Sequence, residues 1–509
     1  MQGWTYRRGL ETIQRVVGIV CCVACGDATV PSAEPPQLPA STLPPIAGSN
    51  ATPPGSIAHV PPSAAAAGSP APADAAPAPD DAATPPPEMT APKTTSYHRD
   101  IRPVLESHCT SCHANGQAGA TPIDSWETVQ PLADAIARSV TEGTMPPWPA
   151  DDSCRSLRDV RALPQPTRDL FGRWRDESFP EGDPLGYRAP PPAAKPVELG
   201  PASYTLGSYT AYTPPEASET YRCFIAEHVF DHNTYIRAVD ILPDEIDEVH
   251  HVQVHKLTPE QREQLQSLDL ISLDAGYDCK LGAVLAWTET MFSWRPGSGR
   301  MVFDQGDALY AEAGSTVMLE VHYNTQFLAK GQEPTPDRTK AQFWEVAAGT
   351  VPEHIVYRKD VFLPLTLKEG ESNVVVEALT SMKDIATVGP TGTFVPGEII
   401  GITPHAHHLA TEMNAAVFSG TTGNEECLVR VPEWQYGHQL DYMFKQAIPY
   451  GEKDTVHSAC MYDNSAANQP RINGKKQASK RVTAGEDTLQ EMCMHYVWLR
   501  MDRRAFVGY

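Results

Sequence analysis

The chain has 509 residues, which exceeds the size of one compact domain, so we expect several domains. Its formal net charge of −23 at pH 7 argues against nucleic acid as a partner, because phosphate binding needs a basic surface. Of the 48 prolines, 18 lie in residues 31–96 together with 17 alanines and no Phe, Trp or Tyr. Such a segment cannot bury enough apolar surface to offset its chain entropy, so we predict a disordered or partly polyproline-like tether over 26–96.

Residues 1–25 are typical of an export signal. Three arginines precede the apolar run 16–24, which is too short to span a bilayer. The small residues before Cys25 resemble a bacterial lipoprotein cleavage site, which predicts lipidation of Cys25; plain secretion and a non-targeting segment are the alternatives. Export predicts a periplasmic or cell-surface protein, held near a membrane by its lipid anchor, in a compartment that permits disulfides.

The next region, 97–190, has the pattern of a small helical domain. Apolar residues at helical spacing predict helices near 97–105, 125–142 and 165–177, and a Pro-rich break follows.

A Cys-x-x-Cys-His motif at Cys109, Cys112 and His113 predicts covalently attached haem c in this helical domain. The two thiols form thioethers with the haem vinyl groups, and the histidine supplies an axial nitrogen. A zinc knuckle or a redox dithiol is the competing interpretation, but a second zinc-ligand pair does not stand nearby. Met145, between a threonine and two prolines, is the predicted sixth ligand, with His108 as the rival.

From about residue 198 the chain changes to short runs of β-branched and aromatic residues between turn residues, which predicts antiparallel β-structure. We expect strands at 316–323, at 397–402 and at 489–500. The length suggests two β-sandwich, jelly-roll-like domains, 198–350 and 351–509. The predicted fold is therefore multidomain: a small α-helical cytochrome c-like domain followed by two antiparallel sandwiches.

Histidines form compact clusters within the β-region. His405 and His407 lie two residues apart, so on a strand they face the same side and can chelate one ion. His250 and His251 are adjacent, so they can bind one metal only at a bulge or a strand end. His322 lies inside a predicted strand. Imidazole ligands suit Zn, Cu, Fe and Ni, so zinc hydrolysis stays open on the histidines alone.

The predicted C-terminal strand supplies methionine sulfur as a further candidate metal ligand. Met492, Met494, Tyr496 and Trp498 alternate and so share one face. A thioether near two imidazoles favours Cu(I) over zinc. For Met494 and Trp498, a place in the core is the simpler interpretation.

Residues 200–505 resemble the copper type II, ascorbate-dependent monooxygenases, which include peptidylglycine α-hydroxylating monooxygenase and dopamine β-monooxygenase. Each matching piece is short, but all occur in the family's order. They are Tyr221-Arg222-Cys223, Val249-His250-His251, Tyr277-Asp278-Cys279 with Leu285-Ala286-Trp287, Leu319-Glu320-Val321-His322-Tyr323, His405-Ala406-His407-His408-Leu409, Ala459-Cys460-Met461-Tyr462, and Glu491-Met492-Cys493 followed by Tyr496.

The resemblance implies two copper sites, one per sandwich, and hydroxylation of a substrate C–H bond with dioxygen. The residues that match family positions are the first-copper ligands His250, His251 and His322, the second-copper ligands His405, His407 and Met492, and the pocket tyrosine Tyr496. By the same resemblance Cys223 pairs with Cys279 and Cys460 with Cys493, while Cys154 and Cys427 stay unassigned.

Three positions depart from the peptidylglycine enzyme. Thr403 and Met494 stand where that enzyme has an Arg and an Asn that hold the substrate carboxylate, and Glu320 stands where it has Gln. A peptidylglycine substrate is therefore not expected, and the substrate, a small molecule or a peptide, is open.

The cytochrome-like module resembles the one that precedes the monooxygenase in bacterial members of the family. We hypothesise that the haem passes electrons to the first copper, replacing or assisting ascorbate. The alternatives are a non-enzymatic haem and copper electron-transfer lipoprotein and, third, a zinc hydrolase.

Overall fold

The computed structural model describes residues 94–114, 121–190, 197–207, 210–272, 275–279, 288–296, 298–328, 331–389, 392–472 and 474–507. The predicted signal with Cys25, nearly all of the tether, and Leu285-Ala286-Trp287 lie outside these residues. Within the described ranges, every helix is too short or too polar to cross a bilayer.

The helices lie mainly in the first part of the described chain. They are α1 (Arg102–His108), α2 (Trp126–Val129), α3 (Ala133–Thr141), α4 (Gln165–Asp176), α5 (Pro259–Ile271), α6 (Met382–Ile385) and α7 (Arg503–Val507), with a π-helical turn at Tyr97–Ile101 and 3₁₀ turns at Gln130–Leu132, Pro184–Gly186 and Thr325–Phe327. The predicted helix over 125–142 is broken into α2, a 3₁₀ turn and α3, because Pro131 has no N–H to donate. The prediction at 165–177 is confirmed by α4.

The helical segment, residues 94–190, has a core of its own. α3 and α4 pack their apolar faces together, and the aromatic rings of Phe171 and Trp174 are fully buried between them and the N-terminal turn.

The rest of the chain is mostly strand. The strands are β1 (Tyr204–Gly207), β2 (Glu219–Ile225), β3 (Thr234–Leu242), β4 (Val249–Leu257), β5 (Tyr277–Asp278), β6 (Glu289–Trp294), β7 (Met301–Val302), β8 (Asp307–Ala311), β9 (Thr316–Asn324), β10 (Lys340–Glu345), β11 (His354–Leu363), β12 (Thr366–Leu367), β13 (Val374–Ser381), β14 (Thr387–Val388), β15 (Thr393–Phe394), β16 (Gly397–His405), β17 (Ala410–Phe418), β18 (Glu425–Val431), β19 (Tyr442–Tyr450), β20 (Thr455–Tyr462), β21 (Arg471–Ile472), β22 (Lys475–Lys476), β23 (Val482–Thr483) and β24 (Cys493–Asp502). The predicted strands at 316–323 and 397–402 are confirmed by β9 and β16, and the third begins at Cys493 rather than at 489.

One long sheet runs through both sandwiches in the order β1-β10-β3-β8-β11-β24-β16-β19. A five-stranded sheet, β5-β2-β9-β4-β6, covers its first half, and we call this pair the first sandwich. A four-stranded sheet, β13-β20-β17-β18, covers its second half and forms the second sandwich. Separate apolar cores fill the two sandwiches. Among the described strands of the two sandwiches, the pairing is antiparallel except for a short parallel contact between β8 and β11, so the prediction of antiparallel β-sandwich structure is confirmed.

Three disulfide bonds link distant segments: Cys223–Cys279, Cys460–Cys493 and Cys154–Cys427. The first two confirm the pairings that the resemblance implied. The third joins the two unassigned cysteines and ties the helical segment to β18 of the second sandwich. Disulfides are consistent with an exported protein.

Candidate metal centres

The first centre consists of His250, His251 and His322, which the fold brings together from two neighbouring strands. His251 on β4 lies opposite His322 on β9, and the register shifts between Val249 and His251. This bulge turns His250 to the same side as its neighbour, which is the geometric condition that the adjacent histidines required.

The Nδ1 atoms of these three rings converge on one point. They lie 3.3 Å apart for His250 and His251, and 3.2 Å apart for each of the pairs that include His322. Three nitrogens bound at about 2.0 Å in tetrahedral geometry are separated by about 3.3 Å, so the donor set fits a single metal ion.

Glu219 on β2 fixes the orientation of His322. Its Oε1 atom lies 2.9 Å from His322 Nε2, and the Tyr221 ring stacks on the imidazole with centroids 4.0 Å apart. Although burial raises the pKa of Glu219, contacts with His322 and Thr488 lower it to about 2. An ionised carboxylate at Nε2 favours the tautomer whose Nδ1 lone pair is free for a metal.

Glu320 and His255 form a separate pair. His255 Nε2 lies 2.8 Å from Glu320 Oε2, both side chains are buried, and His255 Nδ1 contacts the hydroxyls of Thr288 and Thr290. Both ring nitrogens of His255 therefore have partners within the protein.

The second centre consists of His405, His407 and Met492. His405 ends β16, and its Nε2 atom lies 3.3 Å from Met492 Sδ just before β24. The two imidazole rings are perpendicular, with centroids 5.4 Å apart.

Carbonyl oxygens hold both imidazoles of the second centre in one tautomer. His405 Nδ1 donates to Gln439 Oε1 at 2.6 Å, and His407 Nδ1 donates to the Gln490 carbonyl at 3.1 Å. Each ring therefore keeps its Nε2 lone pair for a metal, and a thioether beside two imidazoles fits copper in its reduced state.

The buried carboxyl group of Glu491 organises the backbone of the same centre. Glu491 is fully buried and accepts backbone N–H bonds from His407 at 2.9 Å, Leu409 at 2.6 Å and Met492 at 3.3 Å. Tyr462 donates its hydroxyl to the Met492 carbonyl at 2.6 Å. Burial raises the pKa of Glu491 to about 8, against the lowering effect of the three N–H donors.

Burial keeps four of the candidate ligands, His250, His251, His405 and His407, neutral near pH 7. It lowers the pKa of His250 to about 3, with His322 adding to the effect, and the pKa of His407 to about 4. The pKa values of His251 and His405 are also lowered by burial. Neutral imidazoles are the form that binds metals.

Tyr436 connects the two centres. Its ring stacks on His250 with centroids 5.3 Å apart and lies 4.0 Å from His408 and 5.8 Å from His407. Its hydroxyl is 3.3 Å from that of Thr488, which also contacts Glu219. The sequence reasoning did not identify Tyr436, Glu219 or Glu491, although an acidic residue beside a candidate ligand, as at Glu491, is a usable signal.

Tyr496 lies on β24 near His405, with ring centroids 6.4 Å apart. Its other neighbour is the buried guanidinium of Arg358, 3.9 Å from the ring centre. Thr403 donates to Asp441 at 2.5 Å and accepts from Trp498 Nε1 at 3.0 Å, so its hydroxyl is fully used. Met494 is buried.

The haem motif follows α1. Cys112 N and His113 N both donate to the Cys109 carbonyl, at 3.0 and 2.9 Å, so the motif forms one tight turn with two free thiols. His113 Nδ1 lies 3.0 Å from the Thr121 carbonyl, which leaves Nε2 as the donor atom for iron. Burial raises the pKa of the Cys109 thiol to about 11. This donor set fits haem attachment.

The two rival sixth ligands lie in different places. Met145 lines a cavity of about 120 Å³ together with Trp148 and Leu163. His108 ends α1, next to Cys109.

No protein-family model matches the chain, and no curated protein matches it. Among solved structures, the chain is similar to the major capsid protein P2 from bacteriophage PM2, with 9% identity over 59% of this chain and 97% of that chain and a TM-score of 0.24. It is also similar to the cowpea mosaic virus top component, with 9% identity over 61% of this chain and 94% of that chain and a TM-score of 0.24. Likenesses at these scores carry no conclusion about function.

Proposed function

We propose that the chain is a copper-dependent monooxygenase, similar to the copper type II, ascorbate-dependent family, that hydroxylates a substrate C–H bond with dioxygen. A tethered c-type haem, ascorbate or both supply the electrons. The observation that carries the proposal is the presence of two different donor sets, three imidazoles in one centre and two imidazoles with a thioether in the other. When bound, copper supplies one-electron redox chemistry at both centres and dioxygen activation at the thioether centre.

The residues of the first centre suit electron storage. His322 is held between Glu219 and the ring of Tyr221, and the bulge fixes His250 against His251. Ligands that cannot reorient keep one geometry in both oxidation states, so electron exchange requires little reorganisation.

The residues of the second centre suit a reacting site. Gln439 and the Gln490 carbonyl orient the two imidazoles, while Glu491 ties the backbones of His407 and Met492 together. Three protein ligands leave a fourth position for a reactant.

Tyr496 is the residue that we propose to line the substrate pocket. The Thr403 hydroxyl is used within the protein and Met494 is buried, so neither position offers the cation or the amide that holds a peptidylglycine carboxylate. This supports a different small-molecule or peptide substrate.

Cys109, Cys112 and His113 would hold the haem, with Met145 as the proposed sixth ligand. The lipid anchor at Cys25 and a periplasmic or cell-surface location belong to the same proposal, since a tethered enzyme can meet a membrane-bound electron donor.

The geometry of the first centre alone also suits zinc, because its nitrogen spacing matches tetrahedral Zn²⁺. The thioether of Met492 is the observation that favours copper instead. Metal analysis separates the two, with copper and iron supporting the oxygenase and zinc alone supporting a hydrolase. Substrate-dependent oxygen uptake then separates the oxygenase from a non-enzymatic electron carrier.

A further inference from the structure

We infer that electrons from the haem enter the monooxygenase at the second centre, and that Trp148 and Tyr442 form the contact through which they leave the helical segment. This inference rests on the proposed function. It differs from the expectation that the haem reduces the first copper.

The helical segment is attached along the second sandwich. The Cys154–Cys427 disulfide joins it covalently to β18. Next to this bond, Arg158 N donates to the Met443 carbonyl at 2.8 Å, and Leu157 lies in the core of the second sandwich. The arrangement gives the segment a fixed position relative to β18 and β19.

The Trp148 ring makes the aromatic contact of this attachment. It lies edge-on to Tyr442, the first residue of β19, with centroids 5.4 Å apart at 85°. Trp148 Nε1 donates to Asp152 Oδ1 at 3.0 Å, which holds the indole in place, and Tyr442 is 1% exposed. The contact is therefore shielded and rigid on its β19 side.

The same stretch of chain reaches the second centre. Gln439 stands three residues before Tyr442, and its Oε1 atom accepts from His405 Nδ1 at 2.6 Å. Between them, Asp441 accepts from Thr403 on β16 at 2.5 Å. A continuous set of covalent bonds and short contacts thus runs from Trp148 to the imidazole of a candidate copper ligand.

The other end of the path lies at the candidate haem ligand. Met145 stands three residues before Trp148, and both side chains line the same cavity. By contrast, the contact that Arg158 makes with the first sandwich is an ion pair with Asp304 at 2.7 Å, and both side chains are more than one-third exposed. Trp148 also lines a cavity with Met301 and Phe303 of the first sandwich, but its ring contact with Tyr442 leads into the stretch of chain that carries Gln439 and so to the second centre.

With both groups bound, the transfer would be a one-electron exchange that needs no proton. The haem iron held by Cys109, Cys112 and His113 would supply one electron, and the copper held by His405, His407 and Met492 would accept it. Trp148 and Tyr442 supply electronic contact and are not themselves consumed.

The test uses the full chain, loaded with haem and copper, in anaerobic rapid mixing. The absorbance of pre-reduced haem and the Cu(II) electron paramagnetic resonance signal are followed over the first electron transfer. Trp148→Leu should slow haem oxidation at least several-fold, and Trp148→Phe should retain most of the rate. Asp304→Ala, which removes the ion pair with the first sandwich and keeps the bond from Arg158 Nε to the Phe444 carbonyl, should leave the rate unchanged.

Removal of a second-centre ligand gives a second measurement that does not depend on the Trp148 variants. In Met492→Ala, in which the first centre keeps its three histidines, haem oxidation should slow. Fast haem oxidation with the first copper alone, or an unchanged rate in Trp148→Leu, would overturn the inference while the proposed function stands. A protein without a c-type haem spectrum or without copper overturns both.

Discussion

The ring of Tyr436 in the second sandwich stacks on the ring of His250 in the first, with centroids 5.3 Å apart and an interplanar angle of 23°. The same tyrosine contacts His407 and His408. The Tyr436 side chain therefore packs against candidate ligands of both metal centres.

We predict that Tyr436→Leu weakens copper binding at both centres, because the imidazoles lose the surface that fixes their rotamers. Tyr436→Phe should keep near-normal affinity, since the ring remains and only the contact with the Thr488 hydroxyl is lost. Competition titration with a Cu(I) chelator measures both affinities. Wild-type copper affinities in Tyr436→Leu would show that the Tyr436 ring does not position the ligands.

Replacing Glu219 by Gln should weaken metal binding at the first centre about 10- to 100-fold, the usual cost of removing a carboxylate that orients a histidine ligand. The matched control is Glu320→Gln, which removes a buried carboxylate from the same sheet but one that pairs with His255. Titration of each variant with copper provides the comparison. Equal losses in the two variants would assign the effect to sheet stability rather than to orientation of His322.

The Cys460–Cys493 disulfide fixes the strand that follows Met492, across a sequence separation of 33 residues. The double variant Cys460→Ser, Cys493→Ser should lose about 3–4 kcal/mol of unfolding free energy, the chain-entropy value for a loop of this size. Its second centre should also bind copper more weakly, while the first centre is unaffected.

The control for that variant is Cys154→Ser, Cys427→Ser, which frees the helical segment but leaves the backbone of Met492 in place. This control should retain copper at both centres and should release the helical segment faster on limited proteolysis. Loss of second-centre copper in the control alone would contradict the assignment of roles to the two bonds.

Acid should destabilise the metal-free protein through His495, whose side chain is fully buried with both ring nitrogens unpaired. Burial lowers its pKa to about 3, whereas an unfolded histidine titrates near about 6.5. Between these values the unfolded chain binds a proton that the folded chain does not. Stability therefore falls as the pH drops through this window, by up to about 1.4 kcal/mol per pH unit for one proton.

Denaturant unfolding at a series of pH values checks this expectation. His495→Phe should flatten the fall between about pH 6 and 4. His232→Gln, which removes an exposed imidazole, should leave the loss of stability at low pH unchanged. If the free energy of unfolding fell with pH equally steeply in wild type and in His495→Phe, the acid sensitivity would come from residues other than His495.

Much of the candidate site could be predicted from local spacing. The sequence contains two histidines at i and i+2, two adjacent histidines that require a bulge, and a methionine at the start of a predicted strand. Each spacing predicts a specific local geometry, and β16, β4 and β24 have these geometries. The family resemblance, carried by seven short matching segments in the same order, implied the pairing of Cys223 with Cys279 and of Cys460 with Cys493.

The supporting residues could not be predicted in this way. Gln439 contacts His405 from 34 residues away, and Glu219 contacts His322 from 103 residues away. Neither contact could therefore be predicted from a local sequence pattern. Cys154 and Cys427 are separated by 273 residues and meet only because the helical segment lies on β18. Pairings of this kind depend on tertiary packing rather than on local pattern.

The most direct test of the proposed function is the metal content of the purified full-length protein, measured together with its visible spectrum. We predict two copper ions and one haem iron per chain, with the absorption bands of a c-type haem that survive acid–acetone extraction. In His405→Ala the copper content should fall by one while the iron is retained. Zinc in place of copper, or a chain with neither copper nor covalently bound haem, would contradict it.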